Sequence, residues 1–186
     1  MTKLIIPISG KAQHGKDTTA SILKANLEAK GHKVLIMHFA DYLKYGCAKY
    51  LEWDGQKDDR GRHILQQTGT EGIRSVYPDF WVETVAKWID GALTKSYDVF
   101  LIPDARFPNE IDYLKDFSFH VPVKVLSTRV TRLNFESPLP LAQQQHASET
   151  SLDDYQFDLH VRSHSSTEYL EMCVDSLAQF LVGTYL

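Results

Sequence analysis

Cysteine is almost missing from this chain: Cys47 and Cys173 are the only two among 186 residues. They lie far apart and have no metal-ligand spacing. Neither a disulfide framework nor a structural zinc site is therefore expected, and a reduced cytoplasm suits them. Long apolar runs are missing too. None approaches the ~18 residues of a membrane span, and no signal-peptide pattern opens the chain, so the expectation is a cytoplasmic protein with no membrane partner. Positive charge is in slight deficit, with a net charge of −4. That balance speaks against a broad basic surface, and no nucleic-acid partner is expected. Internal repeats and low-complexity tracts are absent, and the histidines show no metal-binding spacing. What the chain does have is 43% hydrophobic residues, enough to build the core of one α/β domain over residues 1–186.

Glycine is scarce as well, at 10 residues, which makes the placing of two of them informative. Gly10-Lys-Ala-Gln-His-Gly15-Lys16-Asp17-Thr18 lies directly behind the apolar run Leu4-Ile5-Ile6-Pro7-Ile8. A strand, a glycine loop and a helix in that order form a phosphate cradle, or P-loop. Gly10 and Gly15 permit the tight turn, loop and helix N–H groups aim inward, and Lys16 reaches the β- and γ-phosphates. Gly10, Lys11, Gly15, Lys16, Asp17 and Thr18 are the candidate ATP-binding residues. Asp17 stands where Ser or Thr ordinarily holds Mg²⁺. Its carboxylate can serve a hard cation, directly or through water, with Thr18 beside it, or it can simply cap the helix. His14 reads as a variable loop position rather than a base.

Strand and helix then alternate. Strands are expected at Lys3–Ser9, Val34–Phe39, Val99–Ile102, Val121–Leu126 and roughly Phe157–Val161. Repeated βα units predict a five-stranded parallel sheet with helices on both faces. Helices are expected from Thr18 to near Lys30 with Gly31 as the stop, from near Asn109 to Phe117, and from near Ser165 to before Gly183. Ser165 and Glu168 would form a capping box for the last. Residues 41–93 read as a largely helical region, broken near Trp53-Asp-Gly55 and Tyr77-Pro78. Its final helix carries Trp81, Val85, Trp88 and Ile89 at helical spacing, a buried stripe with Trp81 nearest a pocket. The segment Asn134–Thr150 holds Pro138, Pro140 and Gln143-Gln-Gln-His146 without an apolar period. Such a stretch in a compact domain predicts a lid, reaching over residues 129–150 with the arginines at its entrance.

Arg62, Arg74, Arg106, Arg129 and Arg132 are the cations of interest. Phosphoryl transfer between two phosphates gathers several negative charges, and planar guanidinium forks hold phosphate oxygens bidentately. Arg106 follows the C-terminal end of the third strand, where ligands bind in open α/β sheets. Arg129 and Arg132 are expected to follow the fourth strand in the same way. Asp104 closes the run beginning at Val99, placed like a carboxylate that orients Mg²⁺ beside a P-loop strand. Asp41 sits similarly behind the second strand, either as a contact to Mg²⁺ or acceptor, or as an N-cap.

Several blocks, in order, resemble the phage-type deoxynucleoside monophosphate kinases, a branch of the P-loop kinases. They are Gly10-Lys-x-x-x-Gly-Lys-Asp-Thr18, Phe39-Ala-Asp41-x-Leu-Lys44, Arg62-x-x-Leu-Gln66-x-x-Gly69-Thr70-Glu71-x-x-Arg74, Trp81, Asp104-x-Arg106-Phe-Pro-Asn109-Glu110, and His146-x-Ser148-Glu149 ahead of Asp158. The resemblance implies a P-loop kinase fold with a helical acceptor-binding region and a lid. It implies ATP as co-substrate, Mg²⁺ as cofactor and a deoxynucleoside monophosphate as the second partner. By it, Lys16, Asp104, Arg106, Arg129 and Arg132 are catalytic, and Asp17, Thr18 and Asp104 attend the metal. Asp41, Arg62, Gln66, Gly69, Thr70, Arg74 and Trp81 line the acceptor site. A homodimer stays open, and a viral source would place the protein in the host cytoplasm. Arg162-Ser163-His164 stands where the family pattern has an Asn-x-Gly turn, so adenine contacts do not carry over there. Two other readings share the glycine loop and the arginines. One is a P-loop kinase for another phosphorylated metabolite, akin to phosphomevalonate or dephospho-coenzyme A kinases. The other is a nucleotide-binding protein without catalysis.

Overall fold

The protein is described by a computed structural model covering residues 2–56, 58–164 and 166–186. β1 (Lys3–Ser9) is buried along almost its whole length and lies at the centre of a parallel sheet. β3 (Val99–Ile102) pairs along one side of it, from Leu4 opposite Val99 to Pro7 opposite Ile102, and β2 (Val34–Ile36) pairs with β3. Two short segments share the other side of β1. These are β4 (Val123–Val125), beside Lys3–Ile5, and β5 (Thr128–Arg132), beside Ile8 and Ser9. β6 (Leu159–Ser163) pairs with β5. Six segments thus fill five strand positions.

Successive residues of a strand face opposite sides, and the core divides accordingly. Leu4, Ile6, Ile8, Val99 and Leu101 pack with Ala20, Leu23 and Leu27 of α1 (Lys16–Glu28). The same cluster takes in Leu170, Val174 and Leu181 of α8 (Thr167–Thr184). Ile5, Phe100 and Ile102 face the other way, toward Trp81 and Val85 of α4 (Phe80–Trp88) and Ile111 and Leu114 of α5 (Pro108–Asp116). Between β2 and α4 run α2 (Asp41–Tyr50), α3 (Asp59–Gln66) and a wide π-type turn over Gln67–Arg74; a second such turn, Ile89–Leu93, extends α4. Two four-residue helices, α6 (Leu141–Gln144) and α7 (Ala147–Thr150), lie in the expected lid. No described helix is long and apolar enough to cross a membrane.

The structure corrects several sequence expectations. The second strand stops at Ile36, because the Phe39 and Ala40 N–H groups turn away to Asp104. The fourth strand is two pieces, interrupted where Asp158 Oδ2 takes the Ser127 N–H (2.8 Å) and hydroxyl (2.6 Å). Arg129 and Arg132 therefore lie within β5, not behind a strand. The last strand is displaced to Leu159–Ser163, since Asp158 is spent on that interruption. Trp88 is 51% exposed and leaves the buried stripe, while Trp81, Val85 and Ile89 keep it. α1 begins two residues early, at Lys16, and ends at Glu28, followed by Gly31 at φ +91°. Ser165 lies outside the described residues; α8 is capped by Ser166, whose hydroxyl accepts the Tyr169 N–H.

Candidate active site

The loop behind β1 is shaped by its glycines for different reasons. Gly15 has φ +90°, a left-handed conformation that a side chain disfavours, and its carbonyl accepts the Thr19 N–H at 2.8 Å as α1 begins. Gly10 is limited by space instead: a Cβ there would lie 2.5 Å from the Val130 carbonyl oxygen of β5. Lys16 is buried, and its Nζ donates to Gly10 O (2.8 Å) and Lys11 O (2.9 Å). Burial, aided by the like charge of Arg106, lowers its pKa to about 8 against the pull of Glu149, Asp17 and Asp104. His14 accepts the Arg132 N–H at 3.4 Å, and burial, with the charge of Lys16, holds its pKa below the usual value.

Acidic groups stand at the carboxyl ends of β2 and β3. Asp104 accepts Phe39 N–H (3.0 Å) and Ala40 N–H (3.1 Å), one on each oxygen, so its first effect is to fold the turn that carries His38–Ala40. His38 Nε2 lies 3.5 Å from Asp17, and Asp41 faces His38 Nδ1 at 3.4 Å and Lys44 Nζ at 3.3 Å. Burial opposes the charge of Asp41, but the hydrogen bonds from His38 outweigh it and bring the carboxyl to about 2. The Asp17 side chain is 82% exposed at the mouth of the loop. Among the described residues no three acidic, histidine or cysteine side chains form a metal cage. The exposed Asp17 carboxylate fits Mg²⁺, which is commonly held by one or two carboxylates together with substrate phosphates.

Beside these groups lies a cavity of roughly 130 Å³, bordered by Phe39, Gly69, Thr70, Arg74, Trp81, Asp104, Arg106 and Ser148 among others. Arg74 is set by its neighbours: Nη2 donates to Glu110, and the guanidinium lies 4.1 Å from the centre of the Phe107 ring. Glu110 is fully buried and also accepts the Arg106 N–H (2.7 Å) and Phe107 N–H (3.1 Å), closing the first turn of α5. Burial pushes its carboxyl up, although Arg74 and those amides oppose the rise. Trp81 donates its indole N–H to Gly69 O at 3.2 Å, fixing the π-type turn against α4. Arg106 reaches over the cavity to α7, donating to Ser148 O at 3.1 Å and to Glu149. Glu149 in turn accepts the Ala12 N–H of the loop at 2.9 Å, and Lys11 Nζ meets Glu149 O and Asp153, each at 2.6 Å.

No family model matches this chain, and no curated protein matches it by sequence. Solved structures match it in shape. An unliganded sugar kinase from Janibacter sp. HTCC2649 is 14% identical, with TM-score 0.53 over 98% of this chain and 95% of that one. The APS kinase of Mycobacterium tuberculosis, in complex with AMPPNP and APS, is 13% identical, with TM-score 0.51 over 98% and 96%. A putative kinase from Chloroflexus aurantiacus is 13% identical, with TM-score 0.52 over 98% and 97%. The fold is that of a P-loop kinase.

Within that P-loop kinase fold the candidate residues separate. Gly69, Thr70, Arg74, Trp81, Asp104 and Arg106 border one cavity. Asp41, Arg62 and Gln66 do not: Asp41 faces His38 and Lys44, Arg62 Nη1 meets Gln143 of α6 at 3.3 Å, and Gln66 is exposed. Arg129 is drawn into the sheet, bonded to Ser9 Oγ (3.2 Å) and Asp153 (3.1 Å), and Arg132 lies over the Phe135 ring. Lys11 points to Glu149 O and Asp153. Sequence reasoning missed Glu110, Glu149, Ser148 and His38 as site residues. Glu110, Ser148 and Glu149 stand inside the very blocks that carry the resemblance, which was their signal; His38 has none, since a lone histidine at a strand end is common.

Proposed function

We propose that the chain transfers the γ-phosphoryl group of ATP to a deoxynucleoside 5′-monophosphate, giving ADP and a deoxynucleoside diphosphate. The observation that supports this reading is the junction of the glycine loop with an arginine-bordered cavity, two features suited to phosphate. The P-loop holds Lys16, the adjoining cavity holds Arg74 and Arg106, and Glu149 spans the two by bonding both Ala12 N–H and Arg106. A mere nucleotide binder has little use for the second feature. The acceptor class rests on the Arg62–Arg74 block, of which Gly69, Thr70 and Arg74 border the cavity.

A monophosphate needs no general base, because its second pKa is about 6 and the attacking oxygen is already ionised near neutrality. That oxygen attacks the γ-phosphorus as the bond to the β,γ-bridging oxygen breaks, and the electron pair leaves with ADP. The chain's task is electrostatic: Lys16 and the loop N–H groups stabilise the departing β-phosphate oxygens, and Arg74 holds the acceptor phosphate. Arg106 lies between them. Mg²⁺, when bound, adds positive charge to the phosphate chain, with Asp17 and Thr18 to hold it and Asp104 to order its waters. The cavity's volume is below the about 300–1,000 Å³ of most ligand pockets, so acceptor entry requires the lid residue Ser148 to withdraw.

The test is coupled ADP release with Mg²⁺-ATP against dTMP, dGMP, dCMP, dAMP, the ribonucleotides and no acceptor. Turnover on a deoxynucleotide well above the rate without acceptor supports the reading and names the base. ATP binding with no response to any acceptor overturns it.

A further inference from the structure

The Ala12 N–H belongs to the glycine loop behind β1, and its partner is a carboxylate of the chain's own. Glu149 Oε2 takes that N–H at 2.9 Å, and Oε1 is held by Arg106. The Glu149 side chain is 9% exposed and feels the charge of Lys16 as well as Arg106. A loop amide and a guanidinium held on one anionic group, with the Lys16 charge acting from further off, is the kind of donor arrangement that suits a phosphoryl group. Its position is also distinctive. Arg106 borders the acceptor cavity and Ala12 belongs to the P-loop, so the carboxylate lies on the seam between donor and acceptor sites.

We propose that Glu149 is a built-in stand-in for the transferred phosphoryl group, occupying its place until the triphosphate of ATP displaces it. This rests on the phosphotransferase reading above. Two like charges cannot share Ala12 and Arg106, so the γ-phosphate and the carboxylate exclude each other. Glu149 sits in α7, anchored through its own carbonyl to Lys11 Nζ at 2.6 Å, and its neighbour Ser148 borders the cavity. Expelling the carboxylate therefore shifts the lid, releases Arg106 to the substrates and opens the acceptor cavity. ADP, which lacks the third phosphate, leaves Glu149 where it is. The chain thus distinguishes ATP from ADP by the occupant each has to remove, and makes room for the acceptor only when a transferable group is present.

The experiment is calorimetric binding of Mg²⁺-AMPPNP and Mg²⁺-ADP to the wild-type chain and to Glu149→Gln. Glutamine keeps the shape and an acceptor oxygen for Ala12 but removes the charge. AMPPNP should bind the variant about tenfold tighter or more, as expected for removing a unit like charge a few ångströms away, and ADP should change far less. An equal change for both nucleotides, or weaker AMPPNP binding, overturns the proposal. Where the variant fails to fold, the wild type carries the test. Amide exchange across residues 147–153 should quicken with AMPPNP and not with ADP; unchanged or slowed exchange with AMPPNP overturns it. A wild-type chain that binds neither nucleotide overturns the phosphotransferase reading and this inference together, whereas normal binding with an unaltered AMPPNP-to-ADP ratio in the variant overturns this inference alone.

Discussion

Lys16 changes charge within the working range of most enzymes, because burial places its pKa at about 8. On the proposed reading the charged form is the one that attracts the triphosphate, and the neutral fraction grows as pH rises through that value. Mg²⁺-ATP affinity measured calorimetrically should therefore fall between about pH 7 and pH 9, with the step absent in Lys16→Met. Stability follows the opposite sign. The folded-state pKa lies below the ordinary 10.5, so folding disfavours the charged form, and the cost fades as pH rises from about 8 toward 10.5. Lys16→Met should accordingly fold at least as well as the wild type at neutral pH while losing turnover by orders of magnitude. Arg74 behaves differently. Its removal strands Glu110, fully buried, without its cation, and Arg74→Ala should lose about 3–5 kcal/mol in urea unfolding. Part of that loss is recovered when Glu110 is also replaced by glutamine, because the buried charge is then gone.

Elements show why some of the fold was legible and some was not. β1 and β3 match their expected spans because apolar runs bounded by polar ends leave one solution, and the P-loop follows from β1 and its glycines. β5 escaped notice because its sequence, Thr128-Arg-Val-Thr-Arg132, reads as polar; only Val130 is apolar, and it joins the core. Thr128 and Ser127 are buried by tertiary contacts that no local pattern reveals. The interruption between β4 and β5 depends on Asp158, thirty-one residues away from Ser127. Asp158→Ala removes the acceptor of a buried amide and hydroxyl, and should cost about 1–3 kcal/mol in chemical denaturation. Burial works against Asp158's charge, but Ser127 and Lys115 outweigh it and hold the pKa below 3.8. This contribution is present above pH 3.8 and is lost as pH falls through the folded value, so the variant should show a shallower acid loss of stability. Of the site, the P-loop and the Gly69–Arg106 cavity wall were legible as motifs. The partnership of Glu149 with Ala12 was not, because it joins residues 137 positions apart.

The whole molecule places the glycine loop and the Arg74–Arg106 cavity, proposed above as its two phosphate sites, behind β1 and β3 of one sheet, with α7 fastened across them through Glu149, Lys11 and Arg106. Ligands that bind only the folded chain add stability by mass action, about 2.7 kcal/mol at a hundred times Kd. ATP and acceptor together should raise the melting temperature beyond either alone, as read by scanning calorimetry. Gly10→Ala should abolish the shift from ATP: its Cβ, 2.5 Å from Val130 O, forces β5 and the loop apart. The chain has three tryptophans. Trp53 is buried with its indole N–H on Gln56 O, Trp88 is largely at the surface beside Tyr42, and only Trp81 borders the cavity. The protein therefore carries its own optical reporter, and a change in tryptophan emission on adding a nucleotide, lost in Trp81→Phe, signals arrival in that cavity without any label.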